Sequence, residues 1–211
     1  MNEKIKLASV FLYTGILFIL SSVFMYIGKD ADVGLGLLIG YLVVVILGVI
    51  LAYALRNVVV SLIVSLIIPS LLGYIIGPAM NMYVEKLGMD VVFLVFLGAA
   101  GIFVGAALFG FFTKRDLSKL GTYLFFSLLF VIVFIVIGVI VGFGSGLFAI
   151  ISGVSLLIFT LYTAYDVFRI KQNIYTMQWY EVPLYGLDLF INLINMFLDL
   201  IRLVSYFFGE D

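Results

Sequence analysis

Apolar residues occur in seven long stretches, separated by short polar connections. A helix of about 20 apolar residues spans the hydrocarbon core of a bilayer. The seven stretches have roughly this length and cover residues 7–27, 33–55, 58–76, 91–112, 123–142, 147–165 and 183–203. The pattern therefore predicts an all-α integral membrane protein with seven transmembrane helices. Residues 1–211 are expected to form a single transmembrane domain, since the connections are too short to hold a soluble one.

The last predicted helix carries a stripe of polar residues along an otherwise apolar surface. The five residues fall at positions i, i+4, i+7, i+11 and i+14, and they are Asp188, Asn192, Asn195, Asp199 and Arg202. A helix turns by about 100° per residue, so this spacing puts all of them on one side. The stripe must face a protein interior or a water-filled cavity, because polar groups are costly in hydrocarbon.

The sixth predicted helix has a matching polar side. It consists of Ser152, Ser155, Tyr162, Thr163 and Asp166. Two neighbouring helices with polar faces predict a functional site between them.

Composition agrees with a membrane protein and excludes several kinds of chemistry. The chain is 65% hydrophobic and 11% charged, whereas about a quarter of the residues of a soluble domain are charged. It has no Cys and no His, so disulfides, thiol chemistry and imidazole metal sites are excluded, and proton sensing must use carboxylates. The seventh helix has no Lys, which excludes a retinal Schiff base. No nucleic-acid partner is expected.

The distribution of Lys and Arg predicts the orientation. The N-terminus and alternate connections hold eight basic residues, which are Lys4, Lys6, Arg56, Lys114, Arg115, Lys119, Arg169 and Lys171. The opposite side holds three, which are Lys29, Lys86 and Arg202. By the positive-inside rule we expect a multi-pass protein of the cell membrane with a cytoplasmic N-terminus and an external C-terminus.

Glycine and proline suggest features of the third and fourth helices. Pro69 is expected to bend helix three, and Gly77-Pro78 to end it. Residues 77–90 would then form the longest outer connection. Gly101 and Gly105 form a GxxxG pattern, which predicts close packing between helices.

Two carboxylates are predicted to meet at the cytoplasmic ends of the last two helices. Asp166 and Asp188 lie 22 positions apart. Two carboxylates in contact share a proton and titrate as a pair, whereas Arg56 or Arg169 nearby would favour their charged forms. This competition would make a pH-responsive latch. The alternative is a permanent salt-bridged clamp that plays no part in transport.

Three segments resemble the transmembrane Bax inhibitor motif family in its small prokaryotic seven-helix form. They are TLYTAYDVFRIKQ at 160–172, the helix at 183–202, and ALR at 54–56 with GPAM at 77–80. The resemblance implies a bundle of six helices around a central seventh. It also implies a pH-sensitive calcium leak in which an aspartate pair and an arginine ending helix two control opening.

The resemblance carries over residue by residue with one departure. Asp166 matches the first aspartate of the family's pair and Arg56 its arginine. Asn192 stands at the position of the second aspartate, and Asp188 lies one turn earlier on the same face. We expect calcium to pass Asp166, Asp188 and Asn192, with a latch formed by these three and Arg56. The candidates for the pore lining are Asn195, Asp199, Tyr162 and Ser155.

Other functions remain open at this level. A proton- or cation-coupled transporter could use the same acids, and a non-transporting membrane regulator would work through protein partners. Tyr165-Asp166 and Gly186-Leu187-Asp188 faintly resemble the motifs of intramembrane aspartyl proteases, but Leu187 replaces a glycine. We expect no enzyme activity and no cofactor. The expected partners are the lipid bilayer and calcium or another cation, with the protein as a monomer.

Overall fold

The computed structural model describes the backbone of residues 3–209 and the side chains from Ile5 onward. Within this range the chain forms seven α-helices and no strand. The helices are α1 Glu3–Ile27, α2 Leu35–Leu55, α3 Val58–Leu87, α4 Met89–Phe112, α5 Leu120–Val141, α6 Ser145–Asn173 and α7 Glu181–Phe208. The all-helical prediction is confirmed.

Six of these helices, α1 to α6, are long and apolar enough to cross a membrane. The prediction of seven such segments therefore holds for six, and α7 is not among them. Helix α7 carries the polar stripe found in the sequence. Much of α7 is nevertheless buried, and Leu189, Phe190, Met196 and Ile201 are fully buried. The expected arrangement of six helices around a seventh stays a prediction.

Helix α3 corrects the predicted outer connection. It continues through both prolines to Leu87, and only Gly88, at φ 84°, separates it from α4. Hydropathy marks where a helix leaves the hydrocarbon, whereas the backbone hydrogen bonds continue beyond that level. The helical extension places Tyr83 and Lys86 on α3 rather than in a loop.

The chain divides into two compact units. The first contains Met1–Met82 and Gln172–Phe190, which means α1, α2, most of α3 and the first part of α7. Here α1 and α3 approach closely, because a Cβ added to Gly73 would collide with the backbone oxygen of Ser21. Tyr13 of α1 and Ser65 of α3 are joined by a 2.7 Å hydrogen bond between their hydroxyls.

The second unit contains Tyr83–Lys171 and Ile191–Asp211. In this unit α4 and α6 approach closely, because a Cβ on Gly110 would collide with the backbone of Ala164. The Lys171 amine donates a 2.7 Å hydrogen bond to the carbonyl of Phe111 and so caps the end of α4. The predicted packing role of Gly101 and Gly105 is wrong, since both are exposed and a Cβ on either would meet nothing within 4 Å. The prediction of a single domain over residues 1–211 stays a prediction.

Candidate functional site

Asp166 and Asn192 form a buried polar contact between α6 and α7. Asp166 is 6% exposed and Asn192 is 4% exposed. The Asn192 Nδ2 group donates a 2.8 Å hydrogen bond to Asp166 Oδ2. The two polar stripes of the sequence therefore meet here.

Arg169 provides a positive charge beside the same carboxylate. Its Nη2 lies 3.4 Å from Asp166 Oδ1, one turn along α6. The guanidinium stays about one third exposed and lies over the Tyr165 ring, 5.8 Å from its centroid. Burial of a carboxylate disfavours its charged form, whereas a nearby cation and a donated hydrogen bond favour it. Asn192 and Arg169 thus supply a hydrogen-bond donor and a positive charge to a carboxylate that is removed from water.

The amide of Asn192 changes what this contact can do. It donates a hydrogen bond but carries no charge, so it cannot repel Asp166 or share its proton as a second carboxylate does. When Asp166 takes up a proton, the attraction to Arg169 disappears and the charge-assisted hydrogen bond becomes a weaker neutral one. The contact is therefore strongest when Asp166 is ionised.

Arg56 and Asp188 belong to the first unit. Arg56 ends α2 in a left-handed conformation, with φ 49° and ψ 40°, and its side chain is exposed. This conformation costs a non-glycine residue roughly 1–2 kcal/mol, so the end of α2 holds local backbone strain. Asp188 is half-buried in α7, between the buried Leu187 and Leu189. Their roles as partners of Asp166 stay predictions.

Asp199 forms a second buried acid site in the second unit. It is 3% exposed, and Arg202 Nη1 donates a 3.0 Å hydrogen bond to its Oδ1. Asp199 Oδ2 has no hydrogen-bond partner among the described residues, although Ser155 lies near the carboxylate. Asp199 and Arg202 line a cavity of about 840 Å³.

The two remaining predicted pore residues have local contacts. Asn195 is half-buried and donates a 2.7 Å hydrogen bond to the carbonyl of Ile191, within its own helix. The Tyr162 ring is 6.2 Å from that of Phe159 and packs against the apolar cluster formed by residues of α5 and α6. The pore-lining role of Ser155, Tyr162, Asn195 and Asp199 stays a prediction.

Some contacts of the second unit were not anticipated. Thr163 Oγ1 lies 2.9 Å from the Phe159 carbonyl and 3.7 Å from Met196 Sδ, which links α6 to α7 one turn from Asp166. The only signal for it in the sequence was the position of Thr163 on the polar side of α6. The cavity at Asp199 was also missed, because Tyr83 and Lys86 were assigned to a loop.

A tightly held divalent ion would need several acidic ligands in one place. Ca²⁺ takes about 6–8 oxygen ligands. Across the described residues, no group of three or more Asp, Glu, His or Cys could hold a metal ion. Passage of calcium past Asp166, Asp188 and Asn192 thus stays a prediction, and weak binding is what a leak requires.

Comparison with known proteins identifies a family along nearly the whole chain and relatives over half to two thirds of it. The sequence profile of the family described as inhibitor of apoptosis-promoting Bax1 matches residues 3–209. An uncharacterized protein of Helicobacter pylori is 28% identical over 145 residues, which cover 67% of this chain and 60% of that protein. An uncharacterized protein of Caulobacter vibrioides is 32% identical over 148 residues, or 67% and 56% of the two chains.

A third relative has a described location. The inner membrane protein YbhL of Escherichia coli is 30% identical over 115 residues, which cover 51% of this chain and 49% of that protein. The matched regions span about half to three fifths of the length of these curated relatives. Together with the six apolar helices, these matches make the protein a multi-pass membrane protein.

Proposed function

Because the chain belongs to the Bax inhibitor-like family of membrane proteins, we propose that it is a pH-sensitive calcium leak of the cell membrane. The gate is the contact of Asp166 with Asn192. The observation that carries this proposal is a buried carboxylate whose two oxygens contact an amide on α7 and a guanidinium on α6. A contact of this kind changes strength when one proton binds, and it joins two helices.

The proposed latch holds α6 to α7 while Asp166 is ionised. Protonation removes the attraction to Arg169 and weakens the hydrogen bond from Asn192. The two helices then separate more easily, so calcium flux rises as pH falls. Such a leak needs no catalytic residue. Arg56 and Asp188 are the further residues that we propose to act in the same latch, on the basis of the family resemblance.

Calcium entry into liposomes containing the purified protein tests the proposal. The measurement runs from about pH 6 to pH 8, so that any change in the protonation of Asp166 within this range appears as a change in flux. We expect wild-type flux to increase toward low pH, and Asp166→Asn to have a flux that no longer depends on pH. Asp188→Asn and Arg56→Ala, measured in parallel, show whether either residue shares the latch.

Asn192→Asp sharpens the same experiment. This change places a second carboxylate against Asp166, and two adjacent carboxylates cannot both ionise easily. We expect the midpoint of the pH dependence to move to higher pH. If no variant passes calcium above the level of empty liposomes at any pH, the leak is refuted, and the contact is a structural clamp.

A further inference from the structure

A second site lies in the cavity beside Asp199. The cavity has a volume of about 840 Å³ and is formed by residues of α3, α5, α6 and α7 within the second unit. Pockets for small molecules have volumes of roughly 300–1,000 Å³. Neither Asp166 nor Asn192 lines it, so the latch proposed above does not account for this cavity.

The cavity wall contains a carboxylate oxygen that lacks a donor. The side chain of Asp199 is 4% exposed, and its Oδ2 has no hydrogen-bond partner among the described residues. Buried polar atoms are nearly always hydrogen-bonded, and an unpaired charged oxygen is especially costly. The Ser155 hydroxyl lies near this carboxylate but does not meet the geometry of a hydrogen bond to Oδ2. A ligand group that donates hydrogen bonds and carries positive charge would supply the missing partner. It must also be slim, because Oδ2 is buried and leaves little room for a bulky donor.

Two cations also line the cavity. Arg202 is bound to Asp199 Oδ1 but keeps about half of its side chain exposed, and Lys86 at the end of α3 is exposed. Their charges outnumber the single carboxylate of the lining. Among the described lining residues, a divalent metal ion would therefore meet more positive than negative charge. A ligand that has an ammonium for Asp199 and an anionic group for Arg202 and Lys86 would meet complementary charge.

Apolar and aromatic side chains complete the lining. Ile135, Phe148 and Phe207 belong to it, and Tyr83 and Tyr206 add hydroxyl groups. We propose that this cavity binds a phosphoethanolamine group, with its primary ammonium at Asp199 Oδ2 and its phosphate at Arg202 and Lys86. The group can come from a phosphatidylethanolamine headgroup, whose acyl chains would follow the apolar wall, or from a soluble phosphoethanolamine.

A choline headgroup is the matched comparison. It has the same charges as ethanolamine, but its trimethylammonium has no N–H to donate and is too wide for the covered oxygen. Hydrogen bonds to charged groups contribute enough that we expect phosphatidylethanolamine to bind at least about tenfold more tightly than phosphatidylcholine. Phosphatidylglycerol supplies the phosphate without the ammonium and should also bind weakly.

Native mass spectrometry of the full-length protein, titrated with each of these lipids, tests the proposal. We expect Asp199→Asn and Lys86→Gln to lose most of the preference for phosphatidylethanolamine. Lys114→Gln, which changes an exposed lysine in the connection between α4 and α5, should keep it. Lys86 is exposed, so its variant keeps the test valid if Asp199→Asn does not fold. Equal binding of the ethanolamine and choline lipids by the wild type would overturn the proposal.

Soluble ligands separate the two sources of the group. Calorimetric titration with phosphoethanolamine, phosphocholine, inorganic phosphate and Ca²⁺ is made on the lipid-depleted protein. Binding of phosphoethanolamine that is lost in Asp199→Asn supports a soluble ligand, whereas a preference seen only with the lipids supports the headgroup. Tighter binding of Ca²⁺ that depends on Asp199 would overturn the proposal. Because none of these readouts is calcium flux, failure here leaves the proposed leak untouched.

Discussion

The second unit contains two aspartates that share a local sequence and differ in their partners. Asp166 and Asp199 are both buried, and each is followed three residues later by an arginine that contacts it, at 3.4 Å and 3.0 Å. At Asp166 the other carboxylate oxygen accepts a hydrogen bond from Asn192 on the neighbouring helix. At Asp199 the other oxygen has no partner among the described residues.

Because of this difference, Asp166 forms a contact between two helices, whereas Asp199 has an oxygen that a ligand can bind. An Asp-x-x-Arg pair within one helix stabilises only that helix, and exposed pairs of this kind contribute little. The pair becomes a latch only where a second helix supplies the remaining donor. Where that donor is missing and a cavity adjoins, the same pair leaves a position for a ligand.

The largest effect on stability should come from the interhelical partner. Asn192→Ala leaves Asp166 Oδ2 without this donor in a buried site, so we expect the free energy of unfolding to fall by about 2–3 kcal/mol. Asn195→Ala is the matched control one turn away. Its amide bonds only to its own helix, so we expect a loss below about 1 kcal/mol. Unfolding in mixed detergent micelles measures both, and equal losses would contradict the distinction.

A smaller loss is expected where α4 meets α6. In Gly110→Ala the new methyl group collides with the backbone of Ala164, two residues from Asp166, and overpacking costs about 1–3 kcal/mol. Gly105→Ala adds the same methyl group on the same helix where nothing lies within 4 Å. It should stabilise the protein by up to about 1 kcal/mol, because alanine favours a helix more than glycine does. A melting temperature that falls in both variants would refute this assignment of the two faces.

Asp199→Asn should affect stability and the pH profile of flux only slightly. The substituted amide can still accept the hydrogen bond from Arg202, and the change removes a buried charge whose Oδ2 has no hydrogen-bond partner among the described residues. We therefore expect a change within about 1 kcal/mol. The midpoint of the pH dependence of calcium flux should stay where it is in the wild type. If Asp199→Asn shifted this midpoint as much as a change at Asp166 does, the two acid sites would act together in gating.

The smallest effect is expected at Asp116 in the connection between α4 and α5. The side-chain hydroxyl of Ser118 and its backbone N–H, 2.9 Å from Asp116 Oδ1, lower the pKa of this exposed carboxyl below its usual value. A lowered pKa keeps the group ionised down to more acidic pH, so it does not titrate between about pH 6 and pH 8. Asp116→Asn should reproduce the wild-type flux profile, and a displaced midpoint would show that surface charge alone shifts the response.

The sequence predicted the seven helices of the described residues, because each of the seven apolar stretches overlaps one of them. The ends of α3, α6 and α7 were placed too early, since apolar length reports the hydrocarbon layer and not the last backbone hydrogen bond. The spacing of the polar residues correctly placed Asp166 and Asn192 on helix faces that could meet. The family resemblance, and not the spacing, singled out Asn192 as a possible partner of Asp166, because it aligned Asn192 with the second aspartate of the family's pair.

Other features depend on which side of a helix meets a neighbour. GxxxG spacing is the same on a packed helix face and on an exposed one. The sequence therefore did not show that Gly110, and not Gly101 or Gly105, makes the close helix contact. The cavity at Asp199 requires residues from α3, α5, α6 and α7. Whether Asp199 Oδ2 has a hydrogen-bond partner depends on distances between atoms of different residues in space. The spacing of residues along the chain does not give these distances.

An exchange of the acid and the amide between Asp166 and Asn192 is the strictest test of the latch. The double variant Asp166→Asn with Asn192→Asp keeps one carboxylate and one amide in contact but moves the acid to α7. In liposome calcium flux from about pH 6 to pH 8, the account predicts that the single variant Asp166→Asn is insensitive to pH and that the exchange restores the rise toward low pH. A pH profile unchanged by Asp166→Asn, or one that the exchanged pair does not restore, would contradict the latch.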